Sequence, residues 1–202
     1  MSFYEYGLPI IFIILILGIF FIIFFLSFLN KIDRSFESLF NNLVQKRGGN
    51  FKKGLFRPHR YSFTYKDTNV DVLATSGFGG SISIRVCIKG NFSKKTRIIN
   101  KRSGIVATKF RGEKEILTGN VLFDDEYRIL SGNENLTFSI LTSDVQKQLL
   151  DLQNNKRFII RLYPNMLETT LMGVGSINQF DLEKLIDLVI TLLDRLKEMN
   201  YI

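Results

Sequence analysis

Between Leu8 and Leu29 the chain has no polar face. The run is 22 residues long, and 19 of them are Leu, Ile or Phe, the exceptions being Pro9, Gly18 and Ser27. As a helix rising about 1.5 Å per residue it reaches roughly 33 Å, against a hydrocarbon core of about 30 Å. The pattern predicts a transmembrane helix over 8–29, preceded by a short tail at 1–7. That tail has no Lys or Arg, and Ser27-Phe28-Leu29-Asn30 is a poor cleavage site, so the run reads as an uncleaved signal-anchor rather than a signal peptide. The pattern then changes. Phe36, Leu39, Phe40, Leu43 and Val44 fall at i, i+3, i+4, i+7 and i+8, which predicts an amphipathic juxtamembrane helix within 30–50, stopped by Gly48-Gly49.

From residue 51 to 202 the pattern is that of one domain. Tyr61, Phe63 and Tyr65 alternate with polar neighbours, as do Val70, Val72 and Ala74, and Ile82, Ile84, Val86 and Ile88. Period 2 predicts half-buried strands, with loops at 66–69 and 77–80 and further strands within 92–123. Leu136, Phe138 and Ile140 predict another strand. Ser143, with Gln146 three residues on, predicts a helix N-terminus, followed by Val145, Leu149 and Leu152 on one face. Phe158, Ile160 and Leu162 predict a strand that turns at 163–166 into a second one at 167–172. A last amphipathic helix is expected from about Asp181 to Met199. The fold class expected is α+β: one transmembrane helix, then a single domain of antiparallel strands with an amphipathic C-terminal helix.

Phe123-Asp124-Asp125-Glu126-Tyr127, Leu141-Thr142-Ser143-Asp144, Leu149-Leu150-Asp151-Leu152, the 158–172 hairpin and the last helix carry a resemblance. Over about residues 119–197 the chain resembles a group of uncharacterised bacterial membrane-anchored proteins. Their pattern is an "FD…F" strand, a helix, a hairpin and an amphipathic C-terminal helix, with Tyr127 here in the place of Phe. The resemblance implies a domain of unknown function and supplies no catalytic residues.

Charge orients the reading. No Lys or Arg precedes the apolar run, and Lys31, Arg34, Lys46 and Arg47 follow it. The positive-inside rule places the N-terminus outside and the C-terminal domain in the cytoplasm. The single cysteine, Cys87, agrees with a reducing compartment. Residues 38–112 contain 16 Lys or Arg against Asp67 and Asp71, a balance of +14, whereas residues 113–202 carry −5. Such asymmetry points to a polyanionic partner or surface, or to two halves that neutralise each other within the fold. Lys46, Arg47, Lys52, Lys53, Arg57 and Arg60, interleaved with Phe51, Phe56 and Tyr61, are the candidate residues for docking on anionic lipid headgroups.

Chemistry-bearing motifs are sparse. One His and one Cys do not make a His/Cys zinc site. Asp124-Asp125-Glu126 reads as a solvated turn rather than a Mg²⁺ or Ca²⁺ ligand set. The glycine loop 77–80 lacks the Gly-Lys-Ser/Thr ending of a P-loop, and its likeness to an RNA-binding RNP1 motif lacks the leading cation and the stacking aromatic. No cofactor or metal is expected. Tyr61, Phe63 and Tyr65 read as core rather than as a base-stacking platform. The function expected is a membrane-anchored interaction module, docking on an anionic membrane surface or a protein partner. The alternatives are a membrane-tethered enzyme working through carboxylates, or a nucleic-acid-binding module.

Overall fold

Alternation decides which face of each strand is buried, and the strands assemble accordingly. The computed structural model describes residues 3–54, 57–76, 81–90, 95–101, 112–152, 157–174 and 178–201. The chain divides into two compact units, Met1–Leu39 and Phe40–Ile202. Helix α1 is Phe3–Arg47, continuous through Asn30.

In the first unit the side chains from Ile10 to Phe24 are exposed. Among the described residues, no helix is long and apolar enough to cross a membrane. The expected transmembrane signal-anchor over 8–29 is thereby corrected, and with it the single-pass placement with an outside N-terminus and a cytoplasmic domain. The flanks of the expected span, Leu8, Pro9, Phe25, Leu26, Phe28 and Leu29, have side chains outside the described residues.

The second unit holds the last turns of α1 and the strands β1 (Asn50–Lys52), β2 (His59–Tyr65), β3 (Thr68–Ser76), β4 (Ser81–Lys89), β5 (Thr96–Asn100) and β6 (Lys114–Ile116). Helix α2 (Val121–Glu126), strand β7 (Tyr127–Ser131) and helices α3 (Glu134–Ile140) and α4 (Ser143–Asp151) follow. The hairpin β8 (Arg157–Tyr163) and β9 (Met166–Val174) leads to helix α5 (Gln179–Glu198). The strands form one antiparallel sheet in the order β1-β2-β3-β4-β9-β8-β5-β7-β6. Register puts Tyr61 opposite Val72, Val72 opposite Val86, Val86 opposite Thr169, Thr169 opposite Ile160 and Ile160 opposite Ile98, all buried on one face. The helices reach that face: α5 lies against β4 and β9, α2 against β7, and α3 and α4 against α5. The α+β class with antiparallel strands and an amphipathic C-terminal helix is what the structure has.

Local chemistry fixes the turns. Gly48 and Gly49 end α1 with φ of 69° and 92°. A Cβ on Gly49 would stand 2.3 Å from the Ser62 carbonyl oxygen, so only glycine fits. The β2–β3 hairpin closes through Lys66 and Asp67, both at positive φ, as a two-residue turn matched to the strand twist requires.

Two expectations in the middle of the chain are corrected. The segment Leu136–Ile140 is the helix α3, not a strand. Asn133 caps it by accepting from the Leu136 N–H, and the buried set Leu136, Thr137 and Ile140 has helical spacing, with Phe138 turned outward. The expected "FD…F" strand is helical over Val121–Glu126 and becomes strand only at Tyr127. The cap of α4 is Thr142, one residue before the expected Ser143. The glycine loop 77–80 lies outside the described residues.

Candidate interaction surface

Of the six cations singled out by sequence, Lys46, Arg47 and Arg60 form ion pairs with acids. Lys46 Nζ lies 2.6 Å from Glu183 Oε1, and Arg47 Nη2 lies 2.6 Å from Asp187 Oδ1. Arg60 grips Asp71 through both carboxylate oxygens, at 2.9 and 2.8 Å. Lys52, Lys53 and Arg57 are exposed, on or just beyond the short edge strand β1. Lys52 is the cross-strand partner of Arg60, so two cations face each other at the sheet's edge. A lysine on a short edge strand also discourages pairing with foreign strands, and that structural role accounts for Lys52 equally well.

The interleaved aromatics do not join this surface. The Tyr61 ring is fully buried, its hydroxyl donating to the Gly48 carbonyl at 2.8 Å. Burial pushes its phenol above the ordinary value, against the opposing effect of Arg47. Phe51 is half-buried, its ring 5.4 Å from that of Phe40 and 6.2 Å from that of His59. Phe56 lies outside the described residues. Among the described residues, the basic end presents charge without an inserting aromatic.

On α5, Gln179, Glu183 and Asp187 succeed one another at intervals of one turn and face the last turns of α1. Asn42 donates to Gln179 Oε1 at 3.0 Å, and Gln179 donates to Glu183 Oε1 at 2.7 Å. The hydrogen bonds from Lys46 first and Gln179 second hold the Glu183 carboxyl below the usual range. Further along α5, Asp194 accepts from Lys66 at 2.9 Å and from the Tyr65 hydroxyl at 3.0 Å. Sequence reasoning about the basic end missed Glu183 and Asp187. Their one-turn spacing was visible, but the helix they face lies about 140 residues away.

The other face of the sheet carries a row that is polar except at Leu130, which is buried in an apolar cluster with Ile99 and Ile159. In register it runs Ser62, Asp71, Cys87, Glu168, Arg161, Arg97, Leu130, Glu115. Glu168 accepts from Arg161 at 2.7 Å and from Thr170 at 3.1 Å, and the buried Glu113 pairs with Arg97. Burial, with the Glu168 carboxylate next, pushes the Cys87 thiol up to about 11, so it is a poor nucleophile near neutral pH.

Other sequence candidates are taken up by structure. Tyr61 and Phe63 are core, leaving no stacking platform on β2 beyond the half-buried Tyr65. His59 is buried, its Nδ1 accepting from the Gly54 N–H. Asp124 accepts from Thr118 N, Thr118 Oγ1 and Gly119 N, which closes the turn before α2. Among the described residues, no three His, Cys, Asp or Glu side chains are gathered to hold a metal ion.

Fold and surface together define an α+β domain with one antiparallel sheet, helices against one face, and on the other face both charged residues and a buried apolar cluster of Ile99, Leu130 and Ile159. No family model matches the chain, and no curated protein matches it. Among solved structures it is similar to the mycobacterial trehalose monomycolate transport factor A, TtfA, with a TM-score of 0.55 and 12% identity over 81% of this chain and 93% of that one. At that identity the likeness establishes the fold alone.

Proposed function

We propose that the chain is an interaction module whose basic end docks on a surface of anionic lipid headgroups. The observation that carries this reading is the exposure of Lys52, Lys53 and Arg57 together at one sheet edge, within a stretch, 38–66, that contains no acid. Cations near an anionic leaflet contribute about 1 kcal/mol each. With Tyr61 buried and Phe51 packed inward, the attraction is electrostatic and therefore strongly dependent on salt.

The test compares partitioning of the full chain onto vesicles containing anionic lipid and onto neutral vesicles. Taking the ratio cancels any lipid affinity of the exposed apolar residues Ile10 to Phe24. The wild-type ratio should be large at low salt and collapse as salt rises. Changing Lys52, Lys53 and Arg57 to Gln should lower it on the order of 100-fold, from about 1 kcal/mol per cation. A wild-type ratio near one, or a variant with an unchanged ratio, overturns the reading.

A further inference from the structure

We propose that Glu183 and Asp187 of α5 form an electrostatic clasp that withholds Lys46 and Arg47 from the anionic surface until that surface competes for them. The inference rests on the docking reading above and adds its regulation.

The geometry is that of two facing helix ridges. Asn42 and Lys46 stand one turn apart near the end of α1, and Gln179, Glu183 and Asp187 stand one turn apart on α5. The contacts form a continuous ladder. Asn42 donates to Gln179, Gln179 donates to Glu183, Lys46 pairs with Glu183, and Arg47 pairs with Asp187. The Asn42–Gln179 rung joins the two ridges without using charge, and within α5 Gln179 also steadies the Glu183 carboxylate. The ion pairs then hold cations that would otherwise extend the basic stretch running on to Lys52, Lys53 and Arg57.

The pairs are also open enough to exchange. The Lys46 side chain is 56% exposed and that of Asp187 59% exposed, so water and competing anions reach both pairs. An exposed ion pair and a cation held at an anionic leaflet have stabilities of the same order. Sparse anionic charge leaves the clasp closed, and only Lys52, Lys53 and Arg57 engage. A dense anionic surface draws Lys46 and Arg47 away as well. Binding should therefore rise more steeply with anionic lipid content than three exposed cations would give.

The experiment uses the full chain and the same anionic-to-neutral partition ratio. The variant Glu183→Gln with Asp187→Asn opens the clasp, and the ratio should rise about tenfold at low anionic content. Removing two acids also makes any protein more cationic. The charge-matched control is therefore Asp125→Asn with Asp151→Asn, two exposed acids on α2 and α4, elements that pack near β7 and away from β1. That control should raise the ratio less than about twofold. Adding Lys46→Gln and Arg47→Gln to the opened clasp should return the ratio to the wild-type value. Equal gains in the opened clasp and the control overturn the clasp, as does a gain that survives loss of Lys46 and Arg47. Those outcomes leave the docking reading standing, because that reading fails only when the Lys52, Lys53 and Arg57 variant keeps its ratio.

Discussion

Tyr61 joins two parts of the domain with one side chain. Its ring is stacked 5.4 Å from Phe63 and 6.1 Å from Phe40, inside the core. Its hydroxyl donates to the Gly48 carbonyl just past the end of α1, where helix geometry leaves carbonyls without intrahelical donors. Tyr61→Phe keeps the ring and strands that carbonyl, so it should destabilise the domain by about 1–3 kcal/mol. Urea unfolding of the variant checks this, with an unchanged denaturant slope as the sign that the fold is retained. Cys87 makes the opposite case, a residue whose surroundings suppress its chemistry. With its thiol pushed up to about 11 by burial, the thiolate is a small minority at neutral pH. Alkylation should be slow at pH 8 and accelerate only as pH approaches that value, which iodoacetamide labelling across the pH range would show. A rate that already levels off near pH 9 would contradict the burial of the thiol.

At the scale of elements, α3 shows how period alone misleads. Leu136, Phe138 and Ile140 alternate as in a strand, yet Asn133 and the buried pair Leu136–Ile140 fit a helix equally well. Both periods place i and i+4 on one face, here Leu136 and Ile140, and the cap breaks the tie. Asn133→Ala should cost about 1 kcal/mol by removing the side chain that accepts from the Leu136 N–H. A strand there would leave that substitution neutral or favourable, because Asn is disfavoured in strands. The strands of the first meander were legible because each has an unbroken alternation of at least five residues and a turn signal beside it. The helix α5 was legible because its apolar arc spans five turns. The short strands β1 and β6, three residues each, carry too little pattern to announce themselves.

Across the whole molecule, charge is partly settled internally. The acids of α5 meet Lys46, Arg47 and Lys66, so three of the 16 cations in residues 38–112 are paired with acids from the other end of the sequence. On the sheet's other face Arg97 and Glu113 form the most enclosed ion pair described, with side chains 11% and 3% exposed. It ties the inner strand β5 to the residue preceding the edge strand β6. Glu113→Ala would leave the arginine charge largely buried without its partner, at a cost of about 3–5 kcal/mol. Changing both residues to apolar ones of similar size should recover much of that loss. A double-mutant cycle in urea measures both, and additive effects of the two changes would show that the pair is not coupled.

The sequence by itself determined the period of each long element, the glycine stops after α1 and the division into basic and acidic halves. These follow from side-chain spacing and backbone sterics, which act over a few residues. Only the tertiary structure decided the sheet order, in which β9 and β8 insert between β4 and β5, because several strand orders bury the same alternating faces. It also decided that Lys46 and Arg47 of the basic end meet the acids of α5. Lys46 and Lys52 look alike in sequence, but one meets α5 and the other stands on a free edge. Ion pairing depends on what folding brings within about 4 Å, and for Lys46 that is a residue 137 positions away.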